Sequence, residues 1–308
     1  MLAKLSESMK MTEQHTAGNP NVFLGLPPEQ CDPKTAAAAI IPVPYDLTST
    51  WKKGADNGPQ AIIDASLAVE LYDIESECEP CEDGIATLDP VTTQEGPEHL
   101  ASLVRAKVAS VLEQEQIPIV LGGEHSVTIG AIEAVAAKFP EISILQIDAH
   151  GDTRESYEGS THNHACVMAR ARELGPIVQV GIRAIDIEET RTMDPERVFF
   201  AHRIVGRSDT AWMDEVVGKL TPIVYITIDL DAFDPSVLPA TGTPEPGGLQ
   251  WYEVVRLLER VTRSRRVVGF DVVELLPQPG QHASAFLAAK LVYRLYALVM
   301  QSYRRAGG

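Results

Sequence analysis

At 308 residues with 44% hydrophobic content the chain can bury a sizeable α/β core, and its formal charge of −17 would repel nucleic acid and anionic lipid while concentrating a small cation. Its four cysteines, Cys31, Cys78, Cys81 and Cys166, are too few and scattered for a disulfide framework, which favours a reducing cytoplasm. No run of about 18 uninterrupted apolar residues occurs, and Met1 to Pro20 has no signal-peptide core, so no membrane segment is expected and residues 1–20 read as a flexible tail.

Ala39 to Val43 is the first apolar run, followed by Cys78-Glu-Pro-Cys81, which reads as a surface loop because no second CxxC accompanies it. Leu100, Leu103, Val104, Val108, Val111 and Leu112 keep helical spacing. Gln116 to Leu121 then reads as a buried strand entering Gly122-Gly-Glu-His-Ser126. Ile142 to Ile147 leads into Asp148-Ala-His-Gly-Asp152, Ile177 to Val180 is a further run, and Pro222 to Ile228 leads into Asp229-Leu-Asp231. Gly242 to Gly248 is turn-rich and reads as a rigid loop beside the site. Val254, Val255, Leu258 and Val261 mark another helix, Arg266 to Val273 another strand, and Ala283 to Tyr303 a long apolar helix, core or interface. Apolar strands alternating with helices predict one α/β domain over 1–308: a three-layer α/β/α stack around a mostly parallel sheet.

His125, Asp148, Asp229 and Glu274 each follow a strand, at the carboxyl edge where open α/β sheets bind ligands. With His150, Asp152 and Asp231 they supply two imidazoles and four carboxylates besides Glu274, a donor set suited to hard or borderline divalent ions such as manganese. Six such ligands exceed the need of one ion, whereas two ions roughly 3.5–4 Å apart with bridging carboxylates would use all of them.

These motifs resemble those of the ureohydrolase family, the arginase and agmatinase group: Gly122-Gly-Glu-His-Ser126 is similar to GG[DE]HS, Asp148 to Asp152 to DAHxD, Asp229 to Pro235 to its DxDxxDP run, and Gly269 to Glu274 to its last acidic motif. Val43-Pro-Tyr-Asp46 and Gly58 to Ile62 add the early loop and helix start, so the likeness covers roughly residues 38 to 303. The resemblance implies an arginase-like fold and two Mn2+ ions, one held by His125, Asp148, Asp152 and Asp229, the other by Asp148, His150, Asp229 and Asp231. It implies attack of a metal-bridging hydroxide on a guanidinium carbon, with Glu274 as guanidinium anchor and His164 as proton donor to the leaving amine. His162 competes for that place, because Ala165 and Cys166 depart from the usual His-Gly-Thr pattern. The resemblance further implies a homotrimer or homohexamer.

The arginase pattern after DAHxD is absent, since Thr153-Arg154 stands there, followed by Glu155-Ser-Tyr-Glu158. An acidic, aromatic loop suits a distal ammonium, so Glu155, Glu158 and His162 are expected to touch substrate and agmatine, cleaved to putrescine and urea, is the expected substrate. Arg154 is expected to pair with Glu155 or Glu158 at the surface; facing the pocket, it would favour guanidinobutyrate. Aminopropylagmatine and guanidinobutyrate are the alternatives, and a non-catalytic regulator is a further one, although no ligand is lost here. The related deacetylases use one zinc and do not require His125 together with Asp152. Asp234 is expected to brace its own loop, and His15, His99, His202 and His282 to stand apart from the metal.

Overall fold

The apolar runs pair into one eight-stranded sheet in the computed structural model, which describes residues 19–307: β1 (Ala38–Val43), β2 (Ile85–Thr87), β3 (Ile117–Gly122), β4 (Ile142–Ile147), β5 (Ile177–Ile182), β6 (Val198–Phe200), β7 (Ile223–Asp229) and β8 (Arg266–Val273). Every pairing is parallel, in the order β2-β1-β3-β8-β7-β4-β5-β6. β2 and β6, which no apolar run announced, are three-residue strands at the two edges. Most of residues 1–20, including His15, lie outside the described residues.

Parallel strands need helical crossovers, and these cover both faces. The main helices are α1 (Gly58–Ser66), α2 (Pro97–Glu113), α3 (Val127–Lys138), α4 (Val167–Leu174), α5 (Ala211–Lys219), α6 (Trp251–Ser264) and α7 (His282–Gly307). Side chains alternate across the sheet, so Ile119 and Leu121 join one core with Ile62, Leu258 and Tyr293 of α1, α6 and α7. Val120 between them joins the other, with Val104, Val135 and Met168 of α2, α3 and α4. α7 is long and apolar enough by composition to cross a bilayer, but 78% of its most apolar window is buried inside this fold, which makes it a core helix. Tyr293 on α7 donates to the Leu71 carbonyl at 2.6 Å, so its polar tip is satisfied where its ring is buried.

Cys78-Glu-Pro-Cys81 is corrected in one respect: Cys81 is fully buried in the core beside Tyr293, not on a surface loop.

The sheet order places β3, β8, β7 and β4 side by side. Their carboxyl ends deliver His125, Glu274, Asp229 with Asp231, and Asp148 with His150 and Asp152 to one rim. Gly123 permits the first turn, because a Cβ there would lie 2.0 Å from the Tyr45 carbonyl oxygen.

Candidate metal centre and substrate pocket

Nδ1 of His125 lies 3.3 Å from Oδ2 of Asp148, 3.0 Å from Oδ2 of Asp152 and 3.6 Å from Oδ2 of Asp229. Nδ1 of His150 lies 2.8 Å from Oδ2 of Asp231 and 3.8 Å from Oδ1 of Asp148. Two groups able to hold a cation result, His125–Asp148–Asp229 and Asp148–His150–Asp231, and Asp148 belongs to both. Backbone amides aim the carboxylates: His150 N–H donates to Asp148 Oδ1 at 2.6 Å, Asp231 N–H to Asp229 Oδ1 at 2.8 Å, and Ala149 N–H to Asp231 Oδ1 at 3.1 Å.

His125 shows which of its nitrogens is free. Nε2 is 2.8 Å from the Thr227 hydroxyl, which donates to Oδ1 of the buried Asp271 at 2.6 Å, while Tyr225 donates to Oδ2 at 2.8 Å. With its proton given to Asp271, Thr227 accepts Nε2–H, so Nδ1 is the nitrogen that would face a cation; without one, and against the effect of burial, Asp148 and Asp152 raise the ring's pKa and favour a proton there. That Nδ1 is buried and has no hydrogen-bond partner, as expected of a metal ligand.

The protonation pattern agrees with a cation site. Burial, then repulsion from Asp231 and Asp152, pushes Asp148 up to about 7, and burial with Asp231 and Asp148 raises Asp229 well above the carboxylate range. Burial disfavours the charged forms of His150 and Asp231 alike, but their mutual attraction wins, raising His150 to about 10 and holding Asp231 at about 2. Without cations, Asp148 and Asp229 hold their protons more tightly than free carboxylates; divalent ions would displace them. Asp152 and Glu274 adopt left-handed backbone conformations, φ 52° and 65°, a strain that the surrounding fold holds in place at the site.

A cavity of about 330 Å³ opens over this cluster, with Glu274, Gly242 and Thr243 on one side, His164 and Tyr157 on another, and Trp51, Ile185 and Asp186 further out. Glu274 is pushed well above its ordinary pKa by burial and by Glu124, and an arriving cation would draw it back toward the charged form. His164 lies in the short turn His164–Cys166, where Asn163 Oδ1 accepts the Ala165 N–H at 3.2 Å. Burial lowers its pKa, with Asp152 opposing and His125, His150 and Lys53 reinforcing, so the imidazole rests neutral.

Three expected substrate contacts are corrected. Glu155 is paired with Arg170 and Arg172, Glu158 is exposed, and His162 sits 4.0 Å from Glu98 on a different surface; none lines the pocket. Arg170 on α4 holds this loop from outside, donating to the Glu155 and Thr161 carbonyls and pairing with the Glu155 carboxylate, whereas Tyr157 of the same loop lines the pocket. Arg154 is corrected in the other direction: it stacks over Tyr157 at 4.5 Å, lies 3.9 Å from both Asp186 and Glu189, and faces the pocket. Asp234 braces its loop as expected, accepting from Ser236 at 3.0 and 2.6 Å, Gly247 at 2.8 Å and Gly248 at 3.1 Å. His99, His202 and His282 stand outside the pocket.

Sequence reading missed Thr48, Thr50, Asp186, Glu189, Thr227, Asp271 and Arg183. Arg183 donates to the Asp231 and Glu245 carbonyls at 2.7 and 2.8 Å, stitching the Asp231 turn to the Gly242–Gly248 loop. Only Thr227 and Asp271, inside recognised motif segments, left any local signal.

The Arginase family model matches residues 36–297. The chain is 39% identical over 281 residues to an N(1)-aminopropylagmatine ureohydrolase of Synechocystis sp., covering 88% of this chain and 91% of that one. It is 35% identical to an agmatinase of Pyrococcus horikoshii, covering 85% and 92%. Among solved structures, the agmatine ureohydrolase of Thermoplasma volcanium superposes with a TM-score of 0.83 at 32% identity, over 96% of this chain and 99% of that one. The arginase of Bacillus cereus superposes with 0.70 at 28%, over 84% and 98%. Matched over most of its length in family, relatives and fold, the chain belongs to the arginase family and is a ureohydrolase, an enzyme that hydrolyses guanidino C–N bonds.

Proposed function

We propose that the chain is a binuclear-manganese amidinohydrolase acting on N1-aminopropylagmatine, with agmatine as the shorter alternative, and that it releases urea and the free polyamine. The observation that carries this reading is Glu274 in one pocket with two imidazoles and three of the four carboxylates, the fourth, Asp148, buried against both histidines, and with the exposed Trp51 and Ile185 and the half-buried Asp186 on the same pocket's wall. The aminopropyl derivative is placed ahead of agmatine because relatives at 39 and 40% identity act on it by name, while the agmatinase quoted above stands at 35%.

His125, Asp148, Asp152 and Asp229 would hold one manganese, and Asp148, His150, Asp229 and Asp231 the other. Bound there, the pair supplies a water nucleophile active near neutral pH and charge stabilisation for the tetrahedral carbon. Glu274 holds the planar guanidinium: its Oε1 already accepts the His125 N–H at 2.8 Å, but a carboxylate keeps further lone pairs for a bidentate fork. His164 delivers the proton to the departing amine: neutral at rest, the ring can take a proton from the attacking water and pass it on. Ile185 and Trp51 shelter the methylene chain, and Asp186 on the outer wall faces a distal ammonium. A homotrimer or homohexamer in the cytoplasm completes the proposal.

Arg154 favours a second reading, in which a guanidino acid such as guanidinobutyrate presents its carboxylate to that guanidinium. Urea release by the manganese-loaded protein from aminopropylagmatine, agmatine, guanidinobutyrate and arginine separates the two. The polyamine reading expects the highest kcat/KM for aminopropylagmatine or agmatine, and a preference for guanidinobutyrate overturns it. Silence on all four would bring forward the regulator.

A further inference from the structure

The loop after β1 closes on a single carboxylate. Asp46 accepts from Ser49 Oγ, from Gly54 N–H at 2.6 Å, from Ala55 N–H at 3.0 Å and from Lys53 Nζ at 3.4 Å, which ties residues 46–55 into a strap at the pocket mouth. The strap turns Thr48 into the protein and leaves Thr50 exposed on the pocket wall. Both hydroxyls meet one ring: Thr48 Oγ1 is 3.1 Å from Nδ1 of His164, and Thr50 Oγ1 is 3.1 Å from Nε2.

We propose that Thr48 and Thr50 are positioning residues for His164, with Thr48 holding Nδ1 in its N–H form so that Nε2 is the atom that exchanges the proton. This rests on His164 being the proton donor. A hydroxyl offers one proton and two lone pairs. Thr48 is buried and one of its lone pairs accepts the backbone N–H of His164 at 3.2 Å, so the ring nitrogen beside it, Nδ1, is turned away from the pocket, and the second lone pair of Thr48 is placed to accept Nδ1–H. Nε2 is left as the acceptor on the pocket side, where Thr50 donates to it until the substrate amine replaces it. Tyr157, edge-on to the ring at 6.0 Å, limits its rotation. In the transfer, Nε2 of the neutral ring takes the proton given up by the water whose oxygen bonds to the guanidino carbon, and the Nε2–H bond of the resulting imidazolium then breaks as an N–H bond forms on the leaving amine. The ring thereby returns to its Nδ1–H form.

The test compares Thr48→Val, Thr48→Ser, His164→Asn and the double variant Thr48→Val/His164→Asn by urea release from the manganese-loaded enzyme. The tautomer of His164 is read by 15N NMR in the metal-free and magnesium-loaded protein. Thr48→Val should lower kcat about 10-fold or more with KM changed by less than about twofold, and Thr48→Ser should restore it. The double variant should be no slower than His164→Asn alone, since both changes remove one function. A slow His164→Asn enzyme beside an unaffected Thr48→Val overturns the positioning role alone, and His164→Asn at full rate removes the proton-donor reading itself. The spectrum decides even where Thr48→Val does not fold: Nδ1–H in the wild-type protein supports the inference, and Nε2–H overturns it.

Discussion

The backbone N–H of His125 donates to Oε1 of Glu274 at 2.8 Å, and the Glu274 N–H donates back to the Gly123 carbonyl at 2.8 Å. A metal ligand on the β3 turn and the guanidinium anchor after β8 are thus locked together across neighbouring strands. Glu274→Gln retains an acceptor for the His125 amide but loses the charge facing the guanidinium. It should lower kcat/KM roughly 10- to 150-fold, about 1.5–3 kcal/mol, with manganese content unchanged. Steady-state kinetics together with metal analysis checks this, and a loss of metal would reassign Glu274 to the metal site.

Manganese should stabilise the protein more as pH rises. Asp148 is raised from 3.8 to about 7 in the metal-free fold, so the stability it contributes below about pH 4 is lost as pH rises through 7. His150, raised from 6.5 to about 10, contributes below pH 6.5 and loses that contribution as pH rises through 10. Asp231, held at about 2, works in the opposite sense, but only as pH falls from its ordinary value of 3.8 through 2. Metal replaces the retained protons, and a ligand at 100 times its Kd adds about 2.7 kcal/mol per site. Melting temperatures in manganese and in chelator should therefore diverge from about pH 5 to about pH 9. A constant gap would show that these groups are not the ligands.

Asp271 touches no metal group directly, yet it orders Thr227 and through it His125. Asp271→Asn places an amide where two hydroxyls donate, and should weaken manganese binding roughly 10- to 100-fold. Titration of metal binding by calorimetry measures this, and unchanged affinity would mean that packing alone sets the His125 ring.

Asp186 and Arg154 face each other at 3.9 Å on the outer wall and should act on different substrates. Both are partly exposed, so modest effects are expected: Asp186→Asn raises KM for aminopropylagmatine about three- to tenfold, while Arg154→Ala leaves it within about threefold. KM values for the two variants decide the matter, and a large loss of aminopropylagmatine turnover in Arg154→Ala would assign the arginine a direct role.

The metal ligands were legible because each sits within about five residues of the end of a long apolar strand, where a local pattern announces both the strand and its exit. The substrate loop was not. Glu155 and His162 flank the right histidine in sequence, but Arg170 and Glu98 draw them to the outside, and sequence proximity carries no information on side-chain direction. Thr48 and Thr50 lie 116 and 114 residues from His164, a separation at which periodicity is silent.

The sequence by itself determined the donor chemistry, two imidazoles and four carboxylates without thiols, and its attachment to the ends of apolar strands. Only the tertiary structure decided that β3, β8, β7 and β4 are neighbours, that Asp148 serves both histidines, that Arg154 turns inward, and that a strap after β1 grips His164. The reason is physical: burial pattern specifies that a strand belongs in a covered parallel sheet, while its neighbours are chosen by packing between residues about a hundred positions apart.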